Sequence, residues 1–380
     1  MKLLVRLPML FLGMCALCAG VLAGLARVGV AVPALAADQA GNHGALMISA
    51  FLGTVISLER AVALPRIWPY LAPLGAALGG LALLAGAPLW GAQTLFIVAG
   101  IVLTAASGLI LRQQPATYTA TLALGALSWL LGSIVWTATG AMIFAVPWWM
   151  AFLVLTIAGE RLELARFLPT PAVARRLFVL IVAVTIIGLA WSAGPVAPGL
   201  PLFAAGLAAL SLWLLRYDIA RHTVRQDGLT RYIAVCLLAG YVWLAFGGLL
   251  GVAGGFSPGS PLRDAALHAV FLGFVFSMIF GHAPIIFPAV ARVRIAYHPT
   301  FYLQLVLLHA SLLARVVGDL GGLPALRQAA AIANGVALLV FVATILIGVV
   351  RGRKVNPGRS GTPGADESFR AEGLQSGEAR

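Results

Sequence analysis

Apolar runs long enough to cross a bilayer follow one another along almost the whole chain. They fall near Leu7 to Leu25, His43 to Leu58, Ile67 to Ala85, Trp90 to Leu111, Tyr118 to Thr139, Met142 to Ile157, Leu177 to Trp191, Pro198 to Leu215, Tyr232 to Val252, Ala265 to Phe287, Phe301 to Val317 and Ala329 to Val350. A membrane helix needs about 20 predominantly apolar residues, and the polar breaks between these runs are short. The pattern predicts an all-α polytopic membrane bundle of about twelve transmembrane helices within residues 1–350. Beyond Val350 the chain turns to Gly, Ser, Pro, Asp, Glu and Arg. Such a composition cannot bury enough apolar surface to fold, so residues 351–380 read as a disordered cytoplasmic tail.

Composition agrees with this pattern and narrows it. The chain is 61% hydrophobic and 10% charged, with a mean hydropathy of +1.00, whereas soluble domains carry roughly 25% charged residues. No room remains for a sizeable soluble domain. A net charge of +13 in a soluble protein would suggest nucleic acid; here the basic residues sit in short clusters between apolar runs and act as topology signals. With the amino terminus placed in the cytoplasm, 21 of the 25 Lys and Arg residues fall in cytoplasmic loops or the tail, and only Arg27, Arg263, Arg315 and Arg327 fall on or towards the other side. Both termini are therefore expected in the cytoplasm. Lys2, Arg6 and the run Ala34-Leu35-Ala36 resemble a secretory signal with its cleavage site. The apolar core between them exceeds the roughly 7 to 15 residues of a signal, which favours a retained first helix.

Phe51-Leu52 to Glu59-Arg60 and Phe152-Leu153 to Glu160-Arg161 share their spacing, at the ends of the second and sixth runs. Phe271-Leu272 stands in the tenth. A threefold pseudo-repeat of four helices would place helices two, six and ten at corresponding, central positions.

Ionisable side chains inside a membrane are costly and usually face a cavity, a partner or a cofactor. His43 opens the second run and His268 the tenth, at matching depth near the outer face. His282 lies 14 residues further along the tenth run, roughly 21 Å deeper at 1.5 Å per residue, and His309 reaches a similar depth in the eleventh. The chain thus offers an outer and an inner histidine pair. Imidazole ligates haem iron and copper, and it also serves as a hydrogen-bonded packing residue. His222 and His298 fall in loops and carry no role. Glu59-Arg60 and Glu160-Arg161-Leu162-Glu163 read as a girdle of interhelical ion pairs at helix ends. Trp148-Trp149, Tyr241 and Trp243 read as packing or interfacial aromatics. Cys15, Cys18 and Cys236 lie in apolar runs and imply no disulfide framework, and no Cys-x-x-Cys-His for covalent haem occurs.

At these residues the chain resembles the NnrS family, multi-span bacterial membrane proteins associated with nitric oxide metabolism and described as binding haem and copper. His43-Gly44-Ala45-Leu46-Met47 is similar to the family's second-span His-Ala-His-Glu-Met, keeping the first His and the Met. Leu267-His268-Ala269, Gly273 and Met278 match its tenth span. Ala45 and Leu46 stand where the family has a second His and a Glu, so the resemblance implies haem more strongly than copper. His43-Gly44-x-x-Met47 also looks like the second-span segment of haem-copper oxidase subunit I, a twelve-helix protein. The copper-binding histidine cluster of those oxidases has no counterpart, since Met142 to Trp191 contains no histidine.

The expected function is a haem-binding protein of the bacterial inner membrane, with haem b held by His43 and His268 as axial ligands. His282 and His309 are expected as neighbours at one depth, in a structural role, with a second haem or metal site as the alternative. The competing class is a cofactor-free, proton-coupled permease whose polar cavity would draw on His282, His309, Arg315, Glu59 and Glu160, with Pro284 and Pro288 as helix breakers.

Overall fold

A computed structural model describes residues 3–167, 171–193 and 198–354. Among them there is no strand, and twelve long helices follow in order. They are α1 (Leu3–Arg27), α2 (Ala45–Ala63), α3 (Trp68–Leu84), α4 (Leu89–Gln113), α5 (Thr117–Thr139), α6 (Met142–Leu164), α7 (Ala172–Trp191), α8 (Gly199–Tyr217), α9 (Gly228–Gly255), α10 (residues 263–291), α11 (Phe301–Leu320) and α12 (Pro324–Lys354). Eleven are long and apolar enough to cross a membrane, and α3 is shorter, at the low end of spanning length. The all-α polytopic bundle expected from the sequence is the observed fold. The last helix runs on to Lys354, past the expected boundary at Val350, and the remainder of the expected tail lies outside the described residues.

Local sequence explains where the helices stop. Gly140 ends α5 in the left-handed region at φ 65, a conformation only glycine adopts without steric cost. Prolines precede the first residue of α4 and α7, where a missing N–H costs nothing. Consecutive helices pack antiparallel, and small residues let their backbones approach, as expected where lipid removes the hydrophobic drive between helices. Thr54, Met47 and His43 of the α2 segment meet Gly13, Gly20 and Gly24 of α1 in turn; Leu122 of α5 and Trp149 of α6 meet Gly159 and Gly132 of the opposite helix.

Helices α2, α6 and α10 form the centre. In their most apolar stretches 67%, 72% and 61% of residues are buried, against 56% or less in every other spanning helix. The three touch one another, and Phe51 of α2 stacks on Phe276 of α10 with ring centroids 6.4 Å apart. This is the arrangement expected of a four-helix repeat. Two of the three share a feature absent from the hydropathy pattern: α2 begins with a π-helical stretch, Ala45–Leu52, and α10 contains one at Ala269–Phe276. Each starts within two residues of a histidine. Wide π turns inside α-helices are rare and frequently mark functional sites. Pro284 and Pro288 do not break α10, which continues helical to Ala291.

Candidate functional site

His43 stands just ahead of α2, after the short turn Ala40–Asn42. Its Nδ1 lies 2.7 Å from the carbonyl oxygen of Gly20 on α1. The ring packs against Gly24, where an added Cβ would come within 2.7 Å of Cε1. The neighbouring backbone therefore fixes the imidazole in position and in rotation. His268 ends the first turns of α10, and its Nδ1 lies 2.8 Å from the carbonyl oxygen of Asp264, one turn back. A carbonyl oxygen can only accept, so in both residues Nδ1 carries the proton and donates. Nε2 then keeps its lone pair. Among the described residues neither Nε2 has a hydrogen-bond partner. The two imidazoles lie close enough to interact electrostatically, on parallel central helices.

Charged groups surround this pair. Arg315 of α11 donates from Nη2 to Oδ2 of Asp264 at 2.8 Å, while Oδ1 of Asp264 is 3.4 Å from Nδ1 of His268. Asp319, its side chain only 2% exposed, stands 3.9 Å from Nε of Arg315 and 3.8 Å from Nε of Arg327. Arg263 donates to the carbonyls of Phe256 and of Ile143 at the start of α6. Arg27 reaches the carbonyl of Ala40 at 3.5 Å. Among the described residues neither Arg27 nor Arg263 has a carboxylate partner, and the two guanidiniums lie within electrostatic range of each other. Arg27, Arg263, Arg315 and Arg327, the four arginines that the charge pattern sets apart, thus gather at one end of the bundle. The starts of α2, α6 and α10 meet there too. Helix starts carry partial positive charge, and Arg27 and Arg263 lack carboxylate partners among the described residues, so this end offers contacts for an anion.

The inner histidines are arranged differently from expectation. His282 and His309 were expected as neighbours, but among the described residues they make no contact with each other. Nδ1 of His282 donates to the Met278 carbonyl at 2.7 Å, and its Nε2 faces Nη1 of Arg161 at 3.4 Å. Both ring nitrogens are occupied. His309 accepts a hydrogen bond at Nδ1 from the indole N–H of Trp243 at 2.9 Å. Its proton must then sit on Nε2, which is buried without a partner and has no lone pair for a metal. The Arg315–Asp264 pair sets the register of α11 against α10. His309, six residues inward from it, stands about 9 Å below that level and His282, eighteen residues inward, about 27 Å below it at 1.5 Å per residue, so the two rings lie at different depths and the expected match in depth does not hold. His222 and His298 are exposed.

A buried ion pair explains His282. Arg161 of α6 and Asp218, directly after α8, meet in a two-pronged contact of 2.8 and 2.9 Å, with side chains 4% and 1% exposed. Asp218 also accepts the backbone N–H of Ala220 at 2.7 Å. His282 offers the guanidinium a further acceptor. The girdle expected from Glu160-Arg161 thus exists in two parts, since Arg60 of α2 lies 3.8 Å from Glu160 of α6. Asp218 escaped the sequence reading because it stands in a loop, 57 positions from its partner. The polar residues considered for a solute path do not converge: Arg315 belongs to the His43 end, Glu59 and Glu160 to the opposite end, and His309 faces Trp243.

No curated protein matches the chain. A family profile described as a domain of unknown function (DUF8744) matches residues 6–350, from the first central contacts of α1 to the last turns of α12. The match takes in both histidine segments and all the central helices, and the chain belongs to the DUF8744 family.

Proposed function

We propose that the chain is a haem-binding integral membrane protein, with a b-type haem held between His43 and His268 at the outer end of the bundle. The observation that carries this reading is the state of the two imidazoles: each donates Nδ1–H to a main-chain carbonyl and leaves Nε2 unpaired. A hydrogen bond from the remote nitrogen fixes the tautomer and orientation of a ligating histidine and raises its basicity. Haem needs only two axial nitrogens from the protein, and this end of the bundle supplies two.

Other features fit the same group. Phe51 and Phe276 each stand eight residues beyond a histidine, about 12 Å deeper at 1.5 Å per residue. Their stack closes the space between α2 and α10 and would form an apolar floor beneath a porphyrin. Arg27 and Arg263, without carboxylate partners, would pair with the propionates. Bound between two imidazoles, haem supplies a low-spin iron that can take up and release an electron. Gly24 and the Gly20 carbonyl hold the His43 ring in place, and Arg315 positions Asp264, whose main chain orients His268.

The resemblance to NnrS proteins supports a role in nitric oxide or respiratory redox metabolism at the inner membrane of a bacterium, and the distribution of Lys and Arg supports cytoplasmic termini. Among the described residues, those considered for a permease path are divided between the two ends of the bundle, whereas His43 and His268 lie together, which favours the haem reading. The test is the absorption spectrum of full-length protein purified after expression with ample haem supply. A low-spin Soret band lost in His43→Ala and in His268→Ala is expected; a wild-type protein with no Soret band would refute the reading.

A further inference from the structure

A cavity of about 320 Å³ opens at the Arg161 end, where the start of α5, the end of α6 and the start of α7 meet. It lies at the lower end of the roughly 300 to 1,000 Å³ typical of small-ligand sites. Leu162 and Phe178 form apolar wall, and Arg166 and Arg175 contribute guanidiniums. Arg166 is 3.6 Å from Glu163 and 3.4 Å from the Tyr118 hydroxyl. The Arg175 guanidinium has no hydrogen bond or ion pair among the described residues.

Thr117 and Tyr118, the first residues of α5, also line the cavity. The cap position before them is Ala116, which makes no side-chain cap hydrogen bond. The amide N–H groups of that first turn are therefore left without the usual side-chain acceptor. On α7, Val173 and Leu177, close along the chain to Arg175 and Phe178, are exposed and present an apolar surface to lipid. The wall, the two cations and the uncapped turn select a ligand with a compact anionic head and an apolar body.

We propose that this cavity binds the phosphate group of an anionic ligand, with Arg175 and Arg166 as its cationic contacts and the first turn of α5 as its amide contact. The site is separate from His43 and His268 and does not depend on haem. Two sources share the chemistry, a phospholipid headgroup and a soluble phosphate ester, and a pair of probes separates them. Glycerol 3-phosphate presents the phosphate without a tail, and dihexanoyl phosphatidic acid presents it with one.

The experiment titrates each probe into full-length protein in neutral detergent by calorimetry. Arg175→Gln should weaken binding about tenfold, the effect of losing one charged hydrogen-bond partner. Ala116→Asp should abolish binding while stabilising the protein, since the new carboxylate caps α5 and takes the ligand's place, so the loss cannot come from unfolding. Arg221→Gln, an exposed arginine at the same end, should bind as wild type. Equal affinity for both probes assigns the site to soluble phosphate esters, and much tighter binding of the lipid assigns it to a headgroup. Absence of binding by the wild type, unchanged binding in Arg175→Gln and Ala116→Asp, or an equal loss in Arg221→Gln would overturn the proposal.

Discussion

A histidine in a membrane protein is defined by what each ring nitrogen does, and the four half-buried histidines divide on that basis. His43 and His268 leave Nε2 unpaired, His282 gives it to Arg161, and His309 carries its proton there. The inner pair should therefore be structural. Asp218→Asn leaves the Arg161 guanidinium buried and uncompensated, and removing one partner of such a pair costs about 3 to 5 kcal/mol. Thermal or denaturant unfolding of the purified protein should register that loss, with the haem spectrum of the folded fraction unchanged. At this scale the sequence was legible in part. The matching depth of His43 and His268 followed from their places at the starts of two equivalent runs. The partners of His282 did not, because Arg161 and Asp218 meet it only through the fold; Asp319, by contrast, stands four positions from Arg315 on α11, a spacing open to sequence reading.

At the scale of elements, the π-helical stretches after His43 and His268 are the feature that hydropathy could not reveal. Both stretches are apolar on every side, so no periodic pattern distinguishes a π turn from an α turn. Their pairing is a second likeness of α2 with α10 beside the Phe-Leu matches, while α6 shares with them its burial and central position. Close packing of α1 on α2 has its own test. Gly24→Leu would drive a side chain into the His43 ring; overpacking of this kind costs typically 1 to 3 kcal/mol. The expected result is a folded but less stable protein whose haem content falls sharply, whereas Gly91→Leu, at a glycine with open space around its Cβ, should retain haem. Equal haem content in the two variants would show that the α1 contact does not position His43.

Across the whole molecule, composition and charge fixed the most. Successive apolar runs predicted the helices, and the four arginines set apart by the charge pattern do gather at one end. The third helix is one residue shorter than its run at each end, starting in the tight Trp68–Tyr70 turn and stopping before Gly86 at φ 67. The proposed orientation makes the His43 end extracytoplasmic. Reporters fused after Asp38 and after Ser257 should give periplasmic signals, and one fused after Arg225 a cytoplasmic signal. The opposite assignment at these positions would invert the topology and place the haem at the cytoplasmic face.

The central claim is that His43 and His268 are the ligand set for one haem, and haem-to-protein stoichiometry tests it most directly. Haem would be extracted and quantified from purified wild type, from His43→Ala with His268→Ala, and from His282→Ala with His309→Ala. The account predicts one equivalent in the wild type, none in the first double variant and one in the second. Haem retained by the first variant, or lost from a folded second variant, would contradict it.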